Sequence, residues 1–243
     1  MLTPPAAAYG NEEELGIAIK TAGVPREKLF VTTKTFVKKG DTVEESFSRS
    51  LKKLNLDYVD LFLIHQPWFT DSAEGRQAKW AEMEAIKESG RARSIGVSNF
   101  LQEHLEPVLA TAKHPPVLNQ IEFHPYLQHG KLLDFLRENK IATAAYGPLT
   151  AVTKASPGPL DPVYQRLANK YGVTTGEVAL RWNLDQGVVA VTTSSNEQRL
   201  KAIMSKVPAF KLTPKEVDEI KDVGSQKHFR GFFQDKYDAD DRR

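Results

Sequence analysis

Short apolar and β-branched runs alternate along this chain with longer stretches whose apolar positions recur at helical spacing. Residues 29–33 read as a strand, and 43–54 as a helix that sets Leu51 and Leu54 on one side and Lys52 and Lys53 on the other. Residues 58–64 form an apolar strand interrupted only by Asp60, followed by a helix over 78–89 that stops at Gly90. The same alternation predicts strands over 92–97, 117–121 and 141–146, with helices over 103–112 and 131–139. Two consecutive helices, 161–171 and 175–185, precede a last strand at 188–191, and helices over 197–204 and 214–223 close the pattern. Near the start, Glu12, Glu13 and Glu14 follow Asn11 as the acidic first turn of a helix that Asn11 is expected to cap. Residues 150–159, rich in Pro, Gly, Ser and Thr, are expected to form a mobile loop.

Strands that alternate with helices argue for a parallel sheet with helices outside it, here as about six βα units in a single domain over 1–243. The units suit either an open doubly wound sheet or most of a (β/α)8 barrel. No G-x-G-x-x-G follows the first strand, which weakens the doubly wound dinucleotide-binding alternative. Polar residues gather where the strands end: Lys34, His65, Ser98, Asn99, Gln120, Tyr146 and Ser194. Barrel enzymes carry their chemistry at those C-terminal ends, so the pattern favours a barrel.

Composition narrows the class further. A net charge of +2 over 243 residues, without a dense basic run, gives no reason to expect nucleic acid. There is no cysteine, so disulfides and thiolate metal sites are excluded. No apolar stretch reaches the roughly 20 residues needed to span a bilayer, and the first residues lack a basic start and long apolar centre. The expectation is a cytoplasmic protein without membrane or metal. His104, His114, His129 and His228 show no ligand spacing, and His124 is expected to be structural.

Three residues stand out as chemistry. Tyr9 lies in A-A-A-Y-G-N-E, Lys34 in F-V-T-T-K-T and His65 in L-F-L-I-H-Q-P, the last two each closing a β-rich run. A tyrosine of ordinary pKa about 10 is a sluggish acid near neutrality, and a nearby cation that favours its phenolate makes proton donation easier. Lys34 is the candidate cation, and His65 could orient a carbonyl or share the proton load.

These contexts, in this order, resemble the aldo-keto reductases, and the resemblance runs over essentially the whole chain. It implies the (β/α)8 barrel of that type, and reduction of an aldehyde, ketone or keto acid by hydride transfer from a nicotinamide cofactor. It assigns Tyr9 as general acid, Lys34 as the residue that lowers its pKa and His65 as the residue that positions the carbonyl. Trp68 resembles the aromatic wall of the substrate pocket, with plain packing as the alternative.

G-V-S-N-F over 96–100 is the second signature, in which the resemblance makes Ser98 and Asn99 partners of the nicotinamide carboxamide. Gln120, in N-Q-I-E-F-H-P-Y, matches a third carboxamide contact. Tyr146, in A-A-Y-G-P-L, matches the ring that stacks on the nicotinamide face, and Gly147 and Leu149 follow it in the cofactor set. The family usually has serine where this chain has Gly147. Helix capping is the alternative for Ser98 and Asn99, and core packing for Tyr146. T-T-S-S-N-E-Q-R-L-K over 192–201 aligns with the segment that holds the adenosine 2′-phosphate, with Thr193 where a lysine is common and Ser194 and Arg199 matching. Arg199 offers a fork of donors suited to phosphate, so NADPH is favoured over NADH, an exposed helical arginine being the alternative.

The resemblance also implies that the chain lacks the first one to two strands of the barrel, and that the carboxylate five residues before the family's tyrosine corresponds to Pro4. On that basis a monomer is expected, with self-association possible through open sheet edges. The alternative to an active reductase is a truncated, catalytically impaired NADPH-binding isoform or regulatory module. An unrelated barrel enzyme acting on a phosphorylated metabolite is a third reading. The tail over 226–237 carries the string H-F-R-G-F-F, resembles the fungal-type members and is expected to help shape the pocket.

Overall fold

Side-chain caps fix where the helices begin. Thr42 accepts a hydrogen bond from the Glu45 amide at 3.2 Å, Ser72 from Gly75 at 3.0 Å and Asn196 from Arg199 at 2.9 Å. Thr174 and Glu177, and Thr213 and Glu216, close reciprocal capping boxes. In the computed structural model, which describes residues 10–37 and 42–243, strands and helices alternate as far as β5, and the helices after it come in two consecutive pairs. They are α1 (Glu12–Thr21), β1 (Thr32–Thr35), α2 (Val43–Leu54), β2 (Val59–Ile64), α3 (Ala73–Glu88), β3 (Ala92–Ser98), α4 (Gln102–Thr111) and β4 (Leu118–Glu122). There follow α5 (Lys131–Glu138), β5 (Ala142–Tyr146), α6 (Asp161–Tyr171), α7 (Thr175–Asp185), β6 (Val189–Ala190), α8 (Glu197–Lys206) and α9 (Pro214–Ser225). The fold is α/β, a sheet of parallel strands in the order β1-β2-β3-β4-β5-β6, as fits part of a (β/α)8 barrel.

Several boundaries differ from the sequence expectation. The first strand is shifted toward the C-terminus: Arg26–Lys28 form a 3-10 turn, Phe30 is 73% exposed, and the polar T-T-K-T run makes the ladder instead. Helix α3 starts five residues earlier than its apolar periodicity suggests, because Ser72 captures the Gly75 amide. Helix α1 does open with Glu12, but Asn11 makes no side-chain cap bond. The segment expected to be a mobile loop is anchored: Thr150–Val152 form a 3-10 turn, Thr150, Ala151 and Ala155 are buried, and Lys227 Nζ donates to the Ala155 and Pro157 carbonyls. Tyr9 and Pro4 lie outside the described residues.

The chain falls into two compact units, one of residues 10–119 with Asn139–Ile141, the other of Gln120–Glu138 with Ala142–Arg243. In the first, β2 pairs in parallel with β1 and β3, and all six of its residues are buried, as a strand covered on both faces requires. Phe47 of α2 packs on Phe62 with centroids 4.4 Å apart, and Trp80, Met83 and Ile86 bring α3 onto the same core. In the second, Trp182 of α7 stacks on Phe123 at 5.2 Å and donates its indole N–H to the Val217 carbonyl, tying in α9. No described helix is long and apolar enough to cross a membrane.

Candidate active site

Alternation along β1 sorts its side chains. Thr33 donates to Glu12 Oε1 at 2.8 Å and Thr35 to Ser46 Oγ at 2.7 Å, so both turn toward the helices. Lys34, between them, projects from the opposite face. In the ladder Lys34 stands opposite Leu63, and Leu63 opposite Gly96. With a period of two, His65 and Ser98 follow on that same face, and the His65 amide still bonds the Thr35 carbonyl at 2.9 Å. The first unit therefore brings Lys34, His65 and Ser98 to neighbouring C-terminal strand ends.

All three are buried, Lys34 to 3% exposure, His65 to 5% and Ser98 to 0%. Burial penalises the lysine's charge and lowers its pKa to about 8. The His65 pKa is lowered to about 3, first by burial and then by the positive charge of Lys34, so its imidazole is neutral in neutral solution. Phe36 meets the His65 ring edge-on at 5.5 Å. Asn99 follows with φ +62, a left-handed conformation, and its Nδ2 donates to the His65 carbonyl at 2.9 Å and to Ser98 Oγ at 3.2 Å. The cap of α4 is Leu101, so neither Ser98 nor Asn99 serves as its cap. Trp68 lies in the turn after His65, half-buried.

In the second unit Gln120 is buried on β4, and Tyr146 ends β5, half-buried, with Phe232 edge-on at 5.2 Å. Gly147 adopts φ +63, a conformation costly for the serine usual in the family. Leu149 leans on a core cluster of Leu180, Ala190 and Val207, so packing accounts for it at least in part. Thr193 and Arg199 are exposed; Ser194 is half-buried and accepts from the Asn196 amide at 3.1 Å. Arg199 lies in the first turn of α8, beside free helix N–H groups that favour anions.

Two buried residues escaped the sequence reading. Asn119 exchanges hydrogen bonds with Phe100, Nδ2 to carbonyl at 2.7 Å and Oδ1 from amide at 3.4 Å, fixing the turn after Asn99. Glu122, 1% exposed, accepts from His124 Nε2 at 3.0 Å. Both belong to β4, whose L-N-Q-I-E sequence mixes polar and apolar residues, so neither stood out by pattern. Among the described residues, no group of three acidic or histidine side chains is placed to hold a metal.

Comparison with known proteins gives the family. The Aldo/keto reductase family model matches residues 5–225. The chain is 38% identical over 230 residues to the NAD/NADP-dependent indole-3-acetaldehyde reductase of Schizosaccharomyces pombe, covering 93% of this chain and 80% of that protein. It is 37% identical to the glyoxal reductase of Bacillus subtilis, over 88% of this chain and 75% of that one. Among solved structures, an aldo-keto reductase from a Medee basin deep-sea metagenome library superposes with a TM-score of 0.85 at 34% identity, covering 95% of this chain and 84% of that one. A sheet of parallel strands that ends in buried Lys34, His65 and Ser98, matched along nearly its whole length by these reductases, is that of an oxidoreductase, and the chain belongs to the aldo/keto reductase family.

Proposed function

We propose that this chain reduces an aldehyde, ketone or keto acid to the alcohol with NADPH as hydride donor. The observation that carries the reading is the buried pair of Lys34, whose pKa falls to about 8, and the neutral His65 on adjacent strand ends. The donor set suits the cofactor. In the first unit, Ser98 and Asn99 offer a buried hydroxyl and a buried primary amide; in the second, Gln120 offers another amide, a complement to a carboxamide. Tyr146 offers a ring face, with Gly147 and Leu149 beside it in sequence. Thr193, Ser194 and Arg199 precede or open α8, where a 2′-phosphate is favoured. Bound NADPH supplies the hydride.

The chain's own groups manage the proton and the carbonyl. Tyr9 delivers the proton to the carbonyl oxygen. Lys34, charged below about pH 8, favours the phenolate that Tyr9 leaves behind. His65, neutral, donates an imidazole N–H to the same oxygen rather than a charge. Trp68 forms an apolar wall for the substrate. The reading sets the enzyme in the cytoplasm as a monomeric single domain acting on a small carbonyl compound, without nucleic acid or membrane as partner.

The second reading, an NADPH binder with impaired turnover, rests on Pro4 at the family's carboxylate position. One sample decides between them: NADPH binding by quenching of tryptophan fluorescence, with aldehyde-dependent NADPH oxidation followed alongside. Binding with turnover that Tyr9→Phe abolishes supports the reductase. Binding without turnover supports the impaired binder, and absence of both removes both.

A further inference from the structure

The second unit contains a buried carboxylate that the proposed reaction does not use. Glu122 ends β4 at 1% exposure, and a carboxylate there is costly unless its oxygens are hydrogen-bonded. Oε1 accepts from the Gly231 amide at 2.8 Å and from His124 Nε2 at 3.0 Å, and Oε2 accepts from the Phe232 amide at 3.2 Å. Two successive amides of the C-terminal tail thus converge on one strand-end carboxylate, more than 100 residues away in sequence. Such charge-assisted bonds are stronger than bonds between neutral groups.

The bonds aim one side chain. Phe232 sets its ring perpendicular to Tyr146, centroids 5.2 Å apart, and carries Lys154 Nζ 4.0 Å from its own centroid. It also occupies the space beside Gly147, where an added Cβ would come within 3.3 Å of Phe232 Cε2. The ring is thus one of two close neighbours of Gly147, with Thr150 Oγ1 at 3.1 Å from such a Cβ the other. The tail is tied down elsewhere as well, by the Phe229 amide to the Tyr126 carbonyl at 3.2 Å.

We propose that Glu122 is a positioning residue: it seats the tail through the Gly231 and Phe232 amides, so that Phe232 braces Tyr146 and fixes the pose of that ring. The consequence for cofactor rests on the reading that Tyr146 faces a nicotinamide; the brace itself does not.

The test uses the full chain with Glu122→Gln and Phe232→Leu. Glutamine keeps the shape but turns one acceptor into a donor, so a tail amide loses its partner. Amide exchange at Gly231 and Phe232 is expected to accelerate roughly tenfold in Glu122→Gln. The ring resonances of Tyr146, assigned with Tyr146→Phe in tyrosine-labelled protein, are expected to move in both variants as the ring current of Phe232 is lost. NADPH affinity is expected to fall severalfold in both, while the thermal midpoint of Phe232→Leu, a surface-side change, stays near that of the parent. Wild-type exchange and an unmoved Tyr146 in Glu122→Gln would overturn the proposal. So would unmoved Tyr146 resonances in Phe232→Leu, which retains Glu122 and remains informative should Glu122→Gln fail to fold. If the parent chain binds no NADPH, the proposed function falls, and exchange and resonances still decide whether Glu122 seats the tail.

Discussion

The Asn99 side-chain amide donates to the His65 carbonyl over 2.9 Å, while the Asn99 backbone holds φ +62. One residue thereby couples the end of β3 to the end of β2, and it does so from a conformation that asparagine tolerates better than most side chains. Asn99→Ala removes the bond and keeps a Cβ in the left-handed region, for an expected cost of about 1–3 kcal/mol. Asn99→Gly removes the bond but not the conformational fit. Thermal unfolding should place alanine below glycine, while NADPH affinity falls alike in both because both lack the amide. Equal midpoints would discard the backbone part of this account.

Lys34 gives the reaction a pH limb. With a pKa lowered to about 8 by burial, the lysine is largely charged at pH 7 and neutral at pH 9.5. If its charge favours the phenolate of Tyr9, kcat for aldehyde reduction declines as pH rises through about 8. Lys34→Arg keeps a cation at every pH in this range, so its profile should lose that limb even if the rate is lower. A parent profile flat from pH 7 to 9.5 would detach Lys34 from the chemistry.

Buried neutral histidines give stability its own pH dependence. The His65 and His129 pKa values are lowered to about 3 and about 4, in each case mainly by burial. Between those values and the ordinary 6.5, the unfolded chain binds protons that the native chain refuses. Stability therefore rises with pH across this window and falls as the solution is acidified from about pH 6.5 toward 3. His65→Gln and His129→Gln should each flatten urea-derived ΔG against pH in that window, by comparison with the parent, whose carboxylates are shared. Parallel curves would mean that the two rings are hydrated.

Gly96 carries the close approach of β3 to its neighbours. A Cβ there would meet the Leu118 carbonyl oxygen at 2.6 Å and Leu63 Cδ2 at 2.8 Å. The methyl can be accommodated only by displacing backbone, two residues before Ser98. Gly96→Ala is expected to cost about 1–3 kcal/mol and to weaken NADPH binding as well. Calorimetry showing a midpoint equal to the parent's would mean that the strands part at no cost.

Much of this was legible in the sequence where local chemistry and periodicity agreed. Helices α6 and α7 fall on their expected residues because Thr174 and Glu177 box one start and Gly172 ends the other helix. Lys34, His65, Ser98 and Asn99 could be picked out because polar residues at the ends of apolar strands are costly to bury without purpose. What was missed depends on distant partners. The apolar Leu29 and Phe30 suggested a strand start, yet Phe30 is exposed and the ladder begins at Thr32 and runs on to Thr35, with the Thr33 and Thr35 hydroxyls donating to Glu12 and Ser46. Glu122 lay just beyond the strand expected over 117–121 and drew no assignment, since its partners Gly231 and Phe232 come from the far end of the chain.

Cofactor preference is the remaining prediction, and it turns on Arg199. The residue is exposed in the first turn of α8, its amide held by Asn196 Oδ1 at 2.9 Å, so its side chain is available to an anion beside the helix N-terminus. NADPH and NADH differ only by the 2′-phosphate, and a guanidinium that contacts it contributes to one cofactor and not the other. Arg199→Ala should weaken NADPH binding by roughly tenfold or more and leave NADH binding unchanged. Thr193→Lys, which adds the cation common in the family at that position, should tighten NADPH further and respond to salt as a charge pair does. Isothermal titration with both nucleotides reads each outcome. Equal losses for NADPH and NADH in Arg199→Ala would place Arg199 on the shared part of the nucleotide, and no loss for either would leave it an exposed helical arginine.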